Sequence, residues 1–285
     1  MGPLVAIRDL TVTWPVSDSG ADGSAGTPAL AGITLTINAG EVVGVMGETG
    51  SGRSTLLRCL NGIVPHLVHA TVEGAIDVAG RDPRVTPVAE LARDVAIVLD
   101  DPEAQISQAT VAEEVAFGLE NLAVPVAEMR VRVHEALAQV GLAGFANRHP
   151  LTLSGGEQQR LAVAGAVAMR PRLLLMDEPT SNLDPRAARQ LLRLVRRLAA
   201  DGGMAVVIVE HDVELLAEHA DRVIVLEGGR LAVDGTPEAV FATLAHMGRT
   251  TSVPPVTALA ARLDPAATAL PVTVEGAVGW LSGRA

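Results

Sequence analysis

Residues Gly47 to Leu56 read Gly-Glu-Thr-Gly-Ser-Gly-Arg-Ser-Thr-Leu, after an apolar run from Val42 to Met46 and ahead of leucines at 56, 57 and 60. This order spells strand, glycine loop, helix. Gly47, Gly50 and Gly52 allow positive φ and turn backbone N–H groups inward, and the helix that follows adds the positive end of its dipole, so the loop suits phosphates. The pattern is a P-loop, G-x-x-x-x-G-K-[ST], with Arg53 in the lysine position and Ser54 in place to offer its hydroxyl to Mg²⁺. The plainer reading is a glycine turn between a strand and a helix, and the downstream residues decide between the two.

Downstream, Leu173 to Met176 reads as a buried strand that ends in Asp177-Glu178-Pro179. That order places two carboxylates at the carboxyl edge of an α/β sheet, where ligands bind. Val206 to Val209 is a second such strand and delivers Glu210-His211. His211 stands apart for that company, whereas His66, His69, His134, His149, His219 and His246 read as surface residues. Between these strands Asp184 is an N-cap with Pro185 at the first helical position, opening a helix striped by Leu191, Leu192, Val195 and Leu198. Leu153 to Arg160, Leu-Ser-Gly-Gly-Glu-Gln-Gln-Arg, starts another helix, with Ser154 and Glu157 as a capping box. A cap has no need of Gly155 and Gly156, which strip side chains from the first turn and leave its N–H groups open to a phosphate from another molecule.

Nearer the start, Leu10, Val12 and Trp14 alternate with threonines as in a half-buried strand, and Ile33, Leu35 and Ile37 repeat the pattern. With Val72 to Val78 they predict a small antiparallel sheet beside a parallel βα layer. The Ser-, Gly-, Asp- and Ala-rich segment Pro15 to Pro28 reads as a mobile loop. Trp14, in a chain with two tryptophans, three phenylalanines and no tyrosine, fits either an apolar rim or a platform for a purine. Val95 to Leu99 is a short strand ending in Asp100-Asp101-Pro102, Thr110 and Glu113 form a capping box, and helical periodicity runs from Val126 to Val140 with a charged, solvated face.

At 285 residues and 48% hydrophobic content the chain can bury one large α/β domain with a small appendage. Its net charge of −11 argues against nucleic acid as a partner, since no basic surface is present to release counterions. The single cysteine, Cys59, reads as a buried side chain in a reducing cytosol. The first residues lack the basic and apolar regions of a signal peptide, and no apolar run approaches the roughly 18 residues of a membrane span. A soluble chain that docks on a membrane protein is the expectation.

In this order the motifs resemble those of the ATP-binding-cassette (ABC) ATPases over roughly Leu4 to Phe241. Leu153 to Arg160 is similar to the family signature, Leu173 to Glu178 to the Walker B strand and its following glutamate, Ser181 to Asp184 to the D-loop, and His211 to the switch histidine. The resemblance implies an α/β fold with a RecA-like P-loop NTPase core, an antiparallel β subdomain and an α-helical signature subdomain at about 106–168. It divides the chain into an ATPase domain, 1–242, and a small C-terminal helical extension, 243–285, suited to pairing. It assigns nucleotide contact to Trp14, Gly47, Glu48, Thr49, Gly50, Ser51, Gly52, Arg53, Ser54, Thr55 and Asp100, and catalysis to Glu178 and His211. Mg²⁺ falls to Ser54 and Asp177, the D-loop to Asp184, and the partner's ATP to Ser154, Gly155, Gly156 and Glu157.

Within the family, Asp101 to Gln105, Ala109 to Val111 and Ala116 to Asn121 resemble the energy-coupling-factor (ECF) type, which powers uptake of vitamins or transition-metal ions. The resemblance implies ATP and Mg²⁺ as cofactors, a second cassette subunit and a transmembrane subunit as partners, and a place on the cytoplasmic face of the membrane. Two departures stand out: Arg53 replaces the P-loop lysine, and Asp100 occupies the place of the Q-loop glutamine, with Gln105 aligning to a different glutamine. They predict slow hydrolysis at this chain's own P-loop and favour a heterodimer over a homodimer. A nucleotide-binding subunit that does not hydrolyse is the first alternative, and a soluble cassette protein acting on DNA or ribosomes the second.

Overall fold

The computed structural model describes residues 2–15 and 27–283. Most of the loop expected from Pro15 to Pro28 lies outside the described residues. In chain order the strands are β1 (Val5–Thr13), β2 (Leu30–Ile37), β3 (Val42–Gly47), β4 (Thr71–Val78), β5 (Val95–Val98), β6 (Leu173–Asp177), β7 (Ala205–Val209), β8 (Arg222–Glu227) and β9 (Arg230–Gly235). They build a three-stranded sheet in the order β2-β1-β4 and a six-stranded sheet in the order β5-β6-β7-β3-β8-β9. The first is antiparallel throughout, as the alternating sequence implies. In the second, β5 to β8 run parallel and only the edge strand β9 is antiparallel.

The near-continuous apolar runs of β3, β6 and β7 are buried on both faces, the pattern of a covered parallel sheet. Alternate residues go to opposite layers. Val42, Leu174, Met176, Val206 and Ile208 join one cluster with Val111, Val115, Leu161 and Leu191 from the helices Val111–Asn121, Gly155–Ala168 and Pro185–Gly202. Val43, Val45, Leu173, Leu175, Val207 and Val209 join a second with Leu56, Leu57 and Leu60 of the helix Arg53–Leu60 and the inner face of the antiparallel sheet. Cys59 is buried in this second cluster, where burial pushes its thiol up to about 12, so it packs as an inert side chain.

A third cluster unites Met46, Val223 and Val225 with Phe241 and Leu244 of the helix Pro237–His246, and with Val253, Ala260, Leu270 and Val272 beyond it. Phe241 is fully buried, which contributes about 1.5–3 kcal/mol. The boundary drawn after residue 242 falls inside this helix. The last two helices, Pro255–Leu263 and Val274–Ser282, form the extension. The region 106–168 contains the helices Val111–Asn121, Val126–Gln139 and Gly155–Ala168.

Two local readings need correction. The first strand begins at Val5, not near Leu10, because the ladder breaks between Ile7 and Leu10, where Asp9 adopts φ 51°. His219 is not a surface residue. It is buried in the short helix Val213–His219, and that burial holds its imidazole below the usual pKa.

Candidate active site

Parallel register brings the sequence-predicted residues to one edge. Asp177 on β6 pairs with Val209 on β7, which pairs with Val45 on β3, so Glu178 and Glu210 emerge level with Met46, one residue before Gly47. The loop after β3 passes close to its surroundings. A side chain on Gly47, at φ 153°, would collide with the Leu226 carbonyl and the Ser51 hydroxyl, and one on Gly52, at φ 101°, with the Ala29 carbonyl. Gly52 precedes a helix whose first turn carries no acidic residue, so that turn supplies no anion of its own to its N–H groups. Glu48, Thr49, Gly50 and Ser51 line an open cavity of about 1070 Å³ that His211 and Glu210 also border. Among the described residues, the buried Ser51 Oγ has no hydrogen-bond partner. An unclaimed hydroxyl inside a backbone-amide cradle fits a phosphate group.

Behind the loop, Ser54 Oγ donates to Asp177 Oδ1 at 3.3 Å. Burial raises the Asp177 carboxyl above its usual pKa, and the Glu178 and Asp100 carboxylates add to the shift, against the Ser54 hydrogen bond. A hydroxyl and a carboxylate are the hard oxygen donors that a small divalent cation takes alongside substrate phosphates. The raised pKa also has a consequence for stability. The folded state binds this proton more tightly than the unfolded chain, so the contribution is present below the unfolded pKa and is lost as pH rises through the folded one. Asp177→Asn is therefore expected to raise the melting temperature of the nucleotide-free chain at neutral pH by about 2 °C, and to give no gain at acid pH. Thermal melts across the acid range check it; an equal shift at every pH would show that the charge is not the cause.

Glu178 follows with φ 48°, in the left-handed region that a non-glycine residue enters at a cost of order 1 kcal/mol, and its N–H donates to the Val209 carbonyl at 2.9 Å. Its Oε1 lies 2.7 Å from His211 Nε2. The network assigns the proton to Nε2, donating to the carboxylate. Arg53 is buried, with Nη1 3.3 Å from His211 Nδ1 and 3.2 Å from Nε2, and Nη2 3.6 Å from Glu178 Oε1. The longer side chain thus reaches past the loop to the two groups expected to do chemistry.

The other predicted residues lie outside this hydrogen-bonded cluster, although the Asp100 carboxylate is near enough to act on Asp177. Ser154 donates through both its N–H and its Oγ to Glu157 Oε2 at 2.8 Å, which holds the Glu157 carboxyl below its usual pKa. Methyl groups on Gly155 and Gly156 would meet Asn182, Leu183, Ala187 and Arg160 at 3.6–3.9 Å, so this turn lies against the segment 182–187 of its own chain. Asp184 caps its helix, accepting from Arg186 and Ala187 N–H at 2.9 and 3.0 Å. Asp100 is exposed, and its carbonyl accepts from Asn182 Nδ2 at 3.3 Å. Gln105 Oε1 accepts from the Leu99 N–H at 2.9 Å and is committed there. Trp14 is half-buried just past β1, packed on the second cluster, and Thr55 is buried in the first turn of its helix.

Sequence reasoning gave Glu210 and Thr180 no role. Both are buried, and Thr180 Oγ1 donates to Glu210 Oε2 at 2.7 Å. The available signal was a carboxylate between an apolar strand and the one singled-out histidine.

The sequence model of the ABC transporter family matches residues 30–181. The chain belongs to that family. Among relatives of this ABC-family chain is the energy-coupling factor transporter ATP-binding protein EcfA1 of Enterococcus faecalis, 34% identical over 287 residues, which cover 99% of the chain and 98% of that protein. EcfA of Methanothermobacter thermautotrophicus is 41% identical over 238 residues, 84% of the chain and 72% of that protein. A longer relative in Saccharolobus solfataricus, 43% identical over 230 residues, is covered over only 42% of its length, so the chain spans less than half of it. Among solved structures, cbiO1 from Clostridium perfringens, described as part of the ABC transporter complex cbiONQ, superposes with a TM-score of 0.75 at 30% identity, over 88% of this chain and 95% of that one. The fold is that of a P-loop NTPase domain of the ABC type, as expected from the motifs.

Proposed function

We propose that this chain binds and hydrolyses ATP with Mg²⁺ as the motor subunit of an ECF-type uptake transporter for a vitamin or a transition-metal ion. The observation that carries the reading is the convergence, at one sheet edge, of the phosphate loop, the Ser54–Asp177 pair and the Glu178–His211 contact at 2.7 Å. The loop amides and Arg53 hold the β- and γ-phosphates, Glu178 polarises the attacking water, and His211 contacts the γ-phosphate. Ser54 and Asp177 would hold Mg²⁺, which would supply charge neutralisation at the phosphate oxygens. Ser154, Gly155, Gly156 and Glu157 present their helix N-terminus to ATP on a second cassette subunit, with Asp184 in the D-loop between the two sites. The region after Asp100 grips a transmembrane subunit at the cytoplasmic face, and the C-terminal helices support pairing. Among the described residues no helix is long and apolar enough to cross a membrane, so a membrane-spanning partner is part of the reading.

Single-turnover phosphate release by the purified chain, alone and with a second cassette chain, tests this. Release that requires Mg²⁺ supports the motor. Tight ATP binding without release in any mixture supports the second reading, a subunit that binds nucleotide but does not hydrolyse it, which the Arg53 contacts to His211 and Glu178 favour.

Trp14 is proposed to stack on the adenine. Trp14→Ala is expected to weaken ATP binding by about fivefold, the equivalent of roughly 1 kcal/mol, while the far-ultraviolet circular dichroism stays that of the parent. An unchanged affinity would leave Trp14 as a packing residue of the second cluster alone.

A further inference from the structure

We propose that Glu210 is a positioning residue that holds the base carboxylate and the switch histidine in one frame; the proposal rests on the reading that this chain hydrolyses ATP. Glu210 is 4% exposed, and both of its carboxylate oxygens are engaged. Oε2 accepts from Thr180 Oγ1 at 2.7 Å, and Oε1 accepts from the backbone N–H of His211 at 3.0 Å, with Asp212 N–H farther off at 3.4 Å. Thr180 stands two residues after Glu178, and His211 is the residue after Glu210. One buried carboxylate therefore ties together the two loops whose side chains meet in the 2.7 Å Glu178–His211 contact.

The physical need is visible on both sides. Glu178 occupies the left-handed region at φ 48°, which persists only where the surroundings over-determine it. The Val209 carbonyl restrains the backbone just before Glu178's side chain, and the Thr180 hydroxyl restrains it just after. His211 is half exposed on its side chain and has only its backbone N–H bond to Glu210 as a local anchor from that residue. A buried acceptor that loses its donors is costly, so the pair of loops is held or released together. An uncharged group of the same shape, offering one acceptor to His211 and one donor to Thr180, meets the same requirement, since a threonine hydroxyl both donates and accepts.

The test combines turnover with amide exchange in the full chain. Thr180→Val is expected to lower kcat about tenfold while KM for ATP and nucleotide affinity stay within about twofold, and Thr180→Ser to restore most of the loss. Glu210→Gln is expected to keep kcat within about threefold of the parent. In the nucleotide-free chain, Glu210→Ala should speed hydrogen exchange at the amides of Glu178, Thr180 and Ser181 and at those of His211 and Asp212 together, and Glu210→Gln should not. The proposal is overturned by parental kcat in Thr180→Val, by a Thr180→Ser variant no better than Thr180→Val, or by exchange that quickens in one loop only. A parent chain that releases no phosphate refutes the ATPase reading by itself; the exchange experiment then decides the Glu210 link separately.

Discussion

Glu178→Gln is expected to slow phosphate release in a single turnover by about a hundredfold while ATP stays bound, and to make the ATP-loaded protein run as a dimer. A hundredfold is about 2.7 kcal/mol of barrier, within the range that a positioned general base supplies. Glutamine keeps the length and shape of the side chain, so the positive-φ turn and the 2.7 Å approach to His211 both have a near-isosteric occupant. What is lost is the negative charge that polarises water. The phosphate contacts of the loop and of Ser54 are untouched, so nucleotide should remain and, with it, the closed pairing it supports. Quench-flow release and light scattering with ATP read the two halves of the prediction. Release as fast as in the parent would remove Glu178 from the role of base.

The second large effect is expected from restoring two residues together: Arg53→Lys with Asp100→Gln should raise turnover at this chain's own P-loop by about tenfold. Lysine is a compact point charge, whereas the Arg53 guanidinium extends across the His211 imidazole and to within 3.6 Å of Glu178. In that position it neutralises the base and occupies the histidine, and an incoming γ-phosphate has to draw it back before either can act. Asp100 offers an oxygen but no donor for the attacking water, and its negative charge adds to that already crowding Asp177. A mixed pair with an unaltered partner should depend more on the partner's P-loop lysine than on Arg53, because the signature from Leu153 to Arg160 is complete. The idea fails if the unmodified protein, alone as a homodimer, already turns over ATP at a rate that the double change does not improve.

Much of this site was legible because parallel strands announce themselves. The runs Val42–Met46, Leu173–Met176 and Val206–Val209 end in the glycine loop, Asp177-Glu178 and Glu210-His211, which an α/β sheet must place at one edge, so Ser54, Asp177, Glu178 and His211 could be associated before their distances were known. Glu210 was given no role because its partner is distant along the chain: only the return of the chain at Thr180 gives it a buried donor. His219 was misplaced for a different reason. It lies three and four residues beyond Leu216 and Leu215, so the helical stripe did include it, but the residue type outweighed the period. The reach of Arg53 depends on its rotamer, which no pattern encodes. At the strand level, the twist at Asp9 broke the alternation that would have carried β1 back to Val5.

Met46, the last apolar residue before the phosphate loop, is buried with Phe241, Val253 and Ala260 rather than with its neighbours Val43 and Val45. The loop is thus moored at its upstream end to the carboxy-terminal layer and at its downstream end, through Leu56 and Leu57, to the opposite layer of the sheet. Loosening the terminal helices is therefore expected to weaken the cluster that holds Met46, coupling the tail to the loop although about two hundred residues separate them along the chain.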